Sequence, residues 1–422
     1  MDTRTSPIRL RIDRLREVMA SEGVHALLVP SSDPHLSEYL PGRWQGREWF
    51  SGFTGSMGTL VVTVDEAVLF ADSRYWVQAE AELAGTGITL EKIPTGNAMA
   101  HIDWLARRTP AGSSVAVDGQ VLGLAAAQAL RAALDKARVV LRTDVDLLDR
   151  VWPERPALPS EPVYEHLAPH APTPRAAKLA AVRQGMARHG ASHHFVSTVD
   201  DIAWITNLRG SDVDYNPVFL AHLLVDAQAA TLYVGDGKVD AGLRATLAAD
   251  GVRLAPYAQA PQALAALPAG SVLLVDPKRV THGLRQAVAA GVQVVEAINP
   301  STLAKSRKTA EEATHVREAM ADRVQARLET VMPGLAAKII GRRSVSPADL
   351  EALNMNLVGG DPYSGVCSPD QFFFMRPFAG HKNARSGTTP WRNLHQIGAS
   401  VHPGPGLGGQ SGYLAAQRIL KG

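Results

Sequence analysis

Among 422 residues there is one cysteine, Cys367. A single thiol excludes an intrachain disulfide and any thiolate-rich metal site, and it fits a reducing compartment. Charge of one sign is equally scarce: 43 Lys and Arg stand against 41 Asp and Glu, a formal net charge of +2. Nothing in that balance calls for nucleic acid or a membrane surface as partner. Long apolar runs are missing too. The one uncharged stretch long enough to cross a bilayer, residues 254–275, is broken by Pro256, Pro261 and Pro268 and reads as helix, turn and strand. Asp2, Arg4, Arg9, Arg11 and Asp13 interrupt the N-terminus, which leaves no secretory-signal core and makes the cytoplasm the expected compartment. The chain has no GxSxG elbow, Walker loop or HExxH helix, so those hydrolase and nucleotidase classes drop out. No Asp or Glu follows Asp370.

The length exceeds what one core organises, and two or three domains are expected. Leu10, Ile12, Leu15, Val18 and Met19 recur at helical spacing, Gly23 stops the helix, and His25 to Pro30 reads as a buried strand. The same device returns with Leu179, Val182 and Met186, then Gly190, then a strand from His194 to Thr198. Gly23 precedes Asp33 by the same interval as Gly190 precedes Asp200, so the two segments read as copies of one unit. In the first copy, strands Thr59 to Thr63 and Ala67 to Phe70 flank a turn at Asp65 and Glu66, and a helix follows from Arg74 to Leu83. In the second, Val218 to Val225, Ala230 to Val234 and the turn Gly235 to Gly237 repeat the order. Seven prolines between Pro153 and Pro174 separate the copies. From Thr309 to Leu328 the pattern is a long amphipathic helix ended by Pro333 and Gly334. Beyond it, Asn393 to Val401 reads as a strand and Ser411 to Leu420 as a terminal helix.

The segments that carry identity are SEYLPGRWQGREWFSGFTGSMGTLVVT and LFADSRYWVQAEAEL in the first copy and DDIAWITNLRGSDVDYNPVFLAHLLV in the second. In order and spacing they resemble the two N-terminal domains of Xaa-Pro aminopeptidases (aminopeptidase P), which share the creatinase N-terminal fold, over residues 10–320. The resemblance implies an α/β protein of two tandem domains with mixed sheets, 1–155 and 156–305, and a linker helix, 306–321. It implies as well a homodimer, a peptide substrate, and two divalent metals, Mn or Zn, bound in a third, pita-bread domain. That domain is not recognisable here. The family places two Glu ligands after its His ligand, whereas His381, His395 and His402 have no acidic residue after them. The expectation is therefore an aminopeptidase relative that binds no metal and lacks hydrolysis, with a non-catalytic dimerisation module as the alternative.

Residues 322–422 resemble a different family, the C-terminal end of phytoene-dehydrogenase-like FAD-dependent oxidoreductases, through NLVGGDPYSGVCSPDQFFFMRP and NLHQIGASVHPGPGLGGQSGY. This likeness implies a partial α+β segment in a composite chain. FAD would then meet Gly398, Ala399, Ser400, Gly406, Gly408 and Gly409, provided the rest of such a site were supplied. Gly404, Gly406 and Gly409 also satisfy GxGxxG, but the βαβ unit and later acidic residue that would make it a dinucleotide fingerprint do not follow.

Arg74, Tyr75, Asn207 and Arg209 lie in the aminopeptidase-like motifs and are the substrate-entrance candidates, since an Arg there could hold a carboxylate bidentately. A structural role stands beside that one: Asn207 to Gly210 as a turn, Arg209 paired with Asp212 or Asp214. Asp33, Asp200 and Asp201 read as helix caps or turn formers. His193 and His194, neighbours on a strand, point to opposite faces and cannot share a metal ion.

Overall fold

The computed structural model of the chain describes residues 6–93, 99–305, 310–342, 395 and 410–421. The first helix, α1 (Pro7–Ser21), starts where Ser6 Oγ accepts from the Ile8 amide at 3.3 Å, with Pro7 in the first turn, and it buries Ile12, Leu15, Val18 and Met19. Gly23 follows at φ +65°, a left-handed turn that stops the helix without a Cβ penalty. The chain then forms β1 (Ala26–Pro30), α2 (Gly46–Ser51), β2 (Thr59–Thr63), β3 (Ala67–Ala71), α3 (Trp76–Glu82), β4 (Thr89–Lys92), α4 (Ala100–Arg108), β5 (Ser114–Ala116), α5 (Leu124–Lys136), β6 (Val140–Arg142) and α6 (Leu148–Val151). The strands make one sheet in the order β4-β3-β2-β1-β5-β6.

The second domain repeats this plan. It comprises β7 (Tyr164–Glu165), α7 (Arg175–Arg188), β8 (His193–Val196), α8 (Val199–Thr206), β9 (Leu208–Arg209), β10 (Ala221–Val225), β11 (Ala230–Val234), α9 (Ala241–Ala249), β12 (Val252–Pro256), α10 (Ala260–Ala265), β13 (Val272–Val275), α11 (His282–Gln286), β14 (Gln293–Glu296) and α12 (Pro300–Lys305). Its sheet runs β12-β11-β10-β8-β13-β14. β1 pairs antiparallel with β2 and parallel with β5, and β8 pairs antiparallel with β10 and parallel with β13. The strands after Gly23 and after Gly190 thus hold the same place in two similar mixed sheets, as the duplication requires.

Pleat alternation sorts each sheet into two packed layers. In the first domain Leu27, Val29, Leu60, Val62 and Leu69 face α1, while Leu28, Val61, Val68 and Phe70 face α4 and α5. Because both faces are covered, β1 reads as an unbroken apolar run rather than an alternating one. The uncharged stretch 254–275 is strand β12, helix α10 and strand β13, so its first residues are strand where a helix was expected. Parallel pairing of β12 with β11 satisfies its backbone there.

By contact, residues 168–172 and 308–422 form a unit separate from the tandem domains. Within it α13 (Ala310–Val331) is one continuous helix, so the expected boundary between residues 321 and 322 falls inside an element. Residues 322–331 contain no Gly or Pro, and the helix ends only before Pro333 and Gly334. Glu329 closes its end, accepting from the amides of Gly334 and Ala336 at 2.6 Å each. A terminal helix, α14 (Gln410–Lys421), is present where one was expected.

Candidate functional site

The aminopeptidase-like motifs of the first domain gather at one end of its sheet, where β1 and β3 finish and β2 begins. The organiser is Arg47 on α2. Its Nη1 and Nη2 donate to the carbonyls of Phe53 and Gly55 at 2.7 and 2.6 Å, and its Nε donates to Ser31 Oγ at 2.8 Å. Ser31 in turn donates to Gly58 O at 2.8 Å. Burial lowers the Arg47 pKa, but three well-placed acceptors keep the fork occupied. Gly55 is needed for close approach, since a Cβ there would lie 2.3 Å from the Phe53 ring and 2.8 Å from that of Tyr75.

On this frame Ser56 Oγ and Tyr75 OH share a hydrogen bond of 2.6 Å, and the Tyr75 ring meets Phe53 edge-on. Thr54 donates twice to Glu82, through its amide at 2.8 Å and its hydroxyl at 2.7 Å. Arg74 grips Asp72 with two bonds, Nε to Oδ1 at 3.0 Å and Nη2 to Oδ2 at 2.7 Å, and these hold the Asp72 carboxyl below its usual range. The Arg74 side chain is 63% exposed and extends over the Tyr75 ring at 5.2 Å. The result is an exposed surface carrying a guanidinium, a phenol and two hydroxyls.

Asn207 and Arg209 lie in the second domain and have inward partners. Asn207 caps α8 at φ +53°, a left-handed conformation Asn tolerates. Its Oδ1 accepts from Lys178 Nζ at 2.5 Å and its Nδ2 donates to Thr173 O at 3.0 Å. Arg209 donates to the carbonyls of Ala203 and Leu208 at 2.8 Å. Asp212, one of its expected partners, instead forms a buried ion pair with Lys238 and accepts from the Leu220 amide. The physical reason is geometric: Lys238, in the turn after β11, reaches the loop that leads into β10. Asp33 is a turn former, its Oδ1 accepting from the amides of His35 and Ser37 at 2.9 Å. Asp200 and Asp201 are not caps. They sit in the first turn of α8, behind Thr198, and tie it to Lys305 on α12. His193 and His194 do diverge, toward Ser192 and Leu274 O respectively.

Sequence reasoning missed the junction between the domains. The segment 119–124 meets 280–283: the Leu124 amide donates to Val280 O, His282 to Leu122 O and Gly283 to Gly119 O. A second contact is a stack of the buried His35 and His222 with the half-buried Tyr257, ring centres 4.6 Å and 5.1 Å apart. His35 Nδ1 lies 2.7 Å from Ser197 O, which can only accept, so that nitrogen carries the hydrogen. Nε2 therefore accepts from Tyr257 OH at 2.9 Å. Ser197 Oγ donates to Pro34 O and so accepts from His222 Nδ1, both at 3.0 Å. Burial lowers both histidines and raises Tyr257, which keeps the whole network neutral near pH 7. With both histidines buried and Tyr257 half-buried, it acts as a latch between domains rather than as an open acid–base site.

Among the described residues no group of three or more His, Cys, Asp or Glu is placed to hold a metal ion. Gly398, Ala399, Ser400, Gly406, Gly408 and Gly409 lie outside the described residues, as does Cys367. No helix among the described residues is long and apolar enough to cross a membrane.

A duplicated six-stranded mixed sheet with helices on both faces, fused through a polar latch, defines a tandem α/β class. Comparison with known proteins makes it particular: residues 11–149 and 154–312 each match the Creatinase/Prolidase N-terminal domain family, so the chain carries two such domains in tandem and resembles the aminopeptidase P family. A probable Xaa-Pro aminopeptidase P of Metarhizium acridum is 36% identical over 257 residues, 58% of this chain and 40% of its own. Xaa-Pro aminopeptidase 1 of Dictyostelium discoideum is 30% identical over 329 residues, 74% of this chain and 52% of its own. An X-prolyl aminopeptidase from Caenorhabditis elegans, described as a cytosolic enzyme with a di-nuclear active site, superposes with a TM-score of 0.67 at 25% identity. That superposition covers 74% of this chain and 53% of the other. The chain thus spans about half the length of these relatives or less.

Proposed function

We propose that this is a cytoplasmic protein of the Xaa-Pro aminopeptidase type, in which the tandem domains frame the entrance for a peptide substrate. The observation that carries this reading is the exposed Arg74–Tyr75–Ser56 surface, built on Arg47 within a fold shared with an X-prolyl aminopeptidase. A guanidinium over an aromatic ring, beside two hydroxyls, is suited to a peptide's carboxylate and carbonyl groups. Asn207 and Arg209 support the second domain rather than touch substrate in this reading. The homodimer expected of the family belongs to the same proposal.

We further propose that these 422 residues do not themselves hydrolyse peptides. Within these 422 residues His381, His395 and His402 all come after the last acidic residue, Asp370, and this order supports the reading. Mn²⁺ or Zn²⁺, which the resemblance assigns to the third domain, would activate a water and polarise the carbonyl before proline. The test is release of the N-terminal residue from an Xaa-Pro peptide by the purified chain with Mn²⁺ or Zn²⁺. No release is expected, and release abolished by a chelator would overturn the proposal. The flavoprotein-like reading of 322–422 rests on its sequence motifs, and a flavin absorption band in the purified protein would favour it.

A further inference from the structure

The second domain carries an open cleft lined by none of the candidate site residues. Three elements wall it: the turn between β10 and β11, helix α9 and the outermost strand β12. It measures about 470 Å³ and owes that space to small residues, Ala229 on the turn, Ala248 on α9 and Gly251 at the bend from α9 into β12. Gly251 makes the bend at φ +75°, in the left-handed region open to glycine. Asp226 fixes the turn, its Oδ1 accepting from the Gln228 and Ala229 amides at 2.7 Å each, and Arg183 Nε donates to Asp226 O at 2.8 Å. Parallel pairing with β11 holds β12.

The only charged groups lining the cleft are Arg244 on α9 and Arg253 on β12. Both are exposed, and neither has an ion pair or a side-chain hydrogen bond among the described residues. Carboxylates close in sequence are committed elsewhere: Asp226 to the turn, Asp240 to the Leu243 amide at the start of α9, and Asp250 to the buried Arg175. Two guanidinium groups from different elements thus line one space. Gln228 adds a carboxamide, and Ala229, Ala248, Val252 and Leu254 add apolar surface. Two such forks suit a dianion with oxygens pointing in several directions, which a phosphate offers and a single carboxylate does not. The volume lies within the range of small-molecule sites, and with the apolar lining it leaves room for an organic group beside the anion.

We propose that the α9–β12 cleft binds an organic phosphate monoester, its phosphate between Arg244 and Arg253 and its organic group on the apolar lining. The bound ligand ties the outermost strand to the helix. β12 has a strand neighbour on one side only, so its amides gain most protection from such a tie.

The test is calorimetric titration of the full chain with phenyl phosphate at pH 8, at an ionic strength held constant with sodium chloride. Saturable binding is expected, tighter than that of inorganic phosphate because the ring covers apolar surface, together with slower hydrogen exchange in β12 and α9. Arg244→Gln and Arg253→Gln should each weaken binding about tenfold, the loss of one charge-assisted hydrogen bond. Arg188→Gln, which removes an exposed charge from α7, should leave binding unchanged. Ala248→Leu keeps both arginines but fills the space, and it should weaken binding at least as far. All four positions are exposed, so the ligand-free melts should match that of the parent. No saturable binding, full binding by Ala248→Leu, or an equal loss in Arg188→Gln would overturn the site. Inorganic phosphate binding as tightly as phenyl phosphate, or phthalate binding more tightly, would overturn the assignment to a phosphate ester.

Discussion

Arg47 shows how far one side chain can organise a motif. Its three donors fix the backbone of the Phe53 to Gly58 loop, on which Ser56 and Tyr75 are set. A composition-based reading would leave an arginine in solvent, yet this one is 3% exposed. Truncating it strands two carbonyls and a hydroxyl without donors, each costly when buried. Arg47→Met should therefore destabilise the fold by roughly 2–4 kcal/mol in urea unfolding. Arg47→Lys should recover only part of that, because an ammonium cannot span three acceptors in the fork geometry. Equal stability of Arg47→Met and the parent would show that the loop is held by other means.

At the scale of elements, the central strands of the two sheets were legible in advance, while most of the outer strands and the seam between the domains were not. The hairpin β2–β3 and the strands β1, β8 and β11 follow directly from apolar runs bounded by Gly, Asp and Glu. Short strands such as β5 and β6 carry too few residues to show a period. The junction depends on Gly283, where a Cβ would sit 2.6 Å from Gln120 Nε2 and 2.9 Å from Gly119 O. Gly283→Ala should push the two segments apart at a cost of about 1–3 kcal/mol. Hydrogen exchange would report it: the amides of Leu124, His282 and Gly283 should exchange faster while those of β1 and β8 keep their protection. Unchanged exchange at the three junction amides would mean that the segments can yield without parting.

The whole molecule should be acid-sensitive. His35, His101, His194, His222 and His282 are all lowered by burial, His101 and His194 to about 4, whereas the unfolded chain protonates near 6.5. Since the unfolded state binds protons first, the stability these groups contribute is complete above 6.5 and is lost as pH falls toward 4. Asp118 works in the opposite sense. Burial raises it to about 6 from 3.8, so the folded state takes up its proton first and gains stability as pH falls through 6. Five histidines against one raised carboxyl give a net loss, visible as a falling Tm between pH 7 and pH 4. His194→Asn keeps a donor toward Leu274 O without a titrating ring, and it should flatten that slope by roughly 3 kcal/mol over the range. A slope indifferent to His194→Asn would place the acid sensitivity elsewhere.

What the amino-acid order decided alone was local or repetitive: helix stops at Gly23 and Gly190, the hairpins, the duplication, and the motifs that resemble Xaa-Pro aminopeptidases. Each of these is written in neighbouring residues, through backbone sterics and side-chain period. Tertiary structure decided which distant groups meet. His35 and Tyr257 stand 222 positions apart and share a hydrogen bond, and Asp212 passes over Arg209 nearby to pair with Lys238. No period or spacing encodes such pairings. They arise because burying apolar surface on both faces of each sheet brings the strand ends and domain edges together, and the polar groups caught there must then find partners.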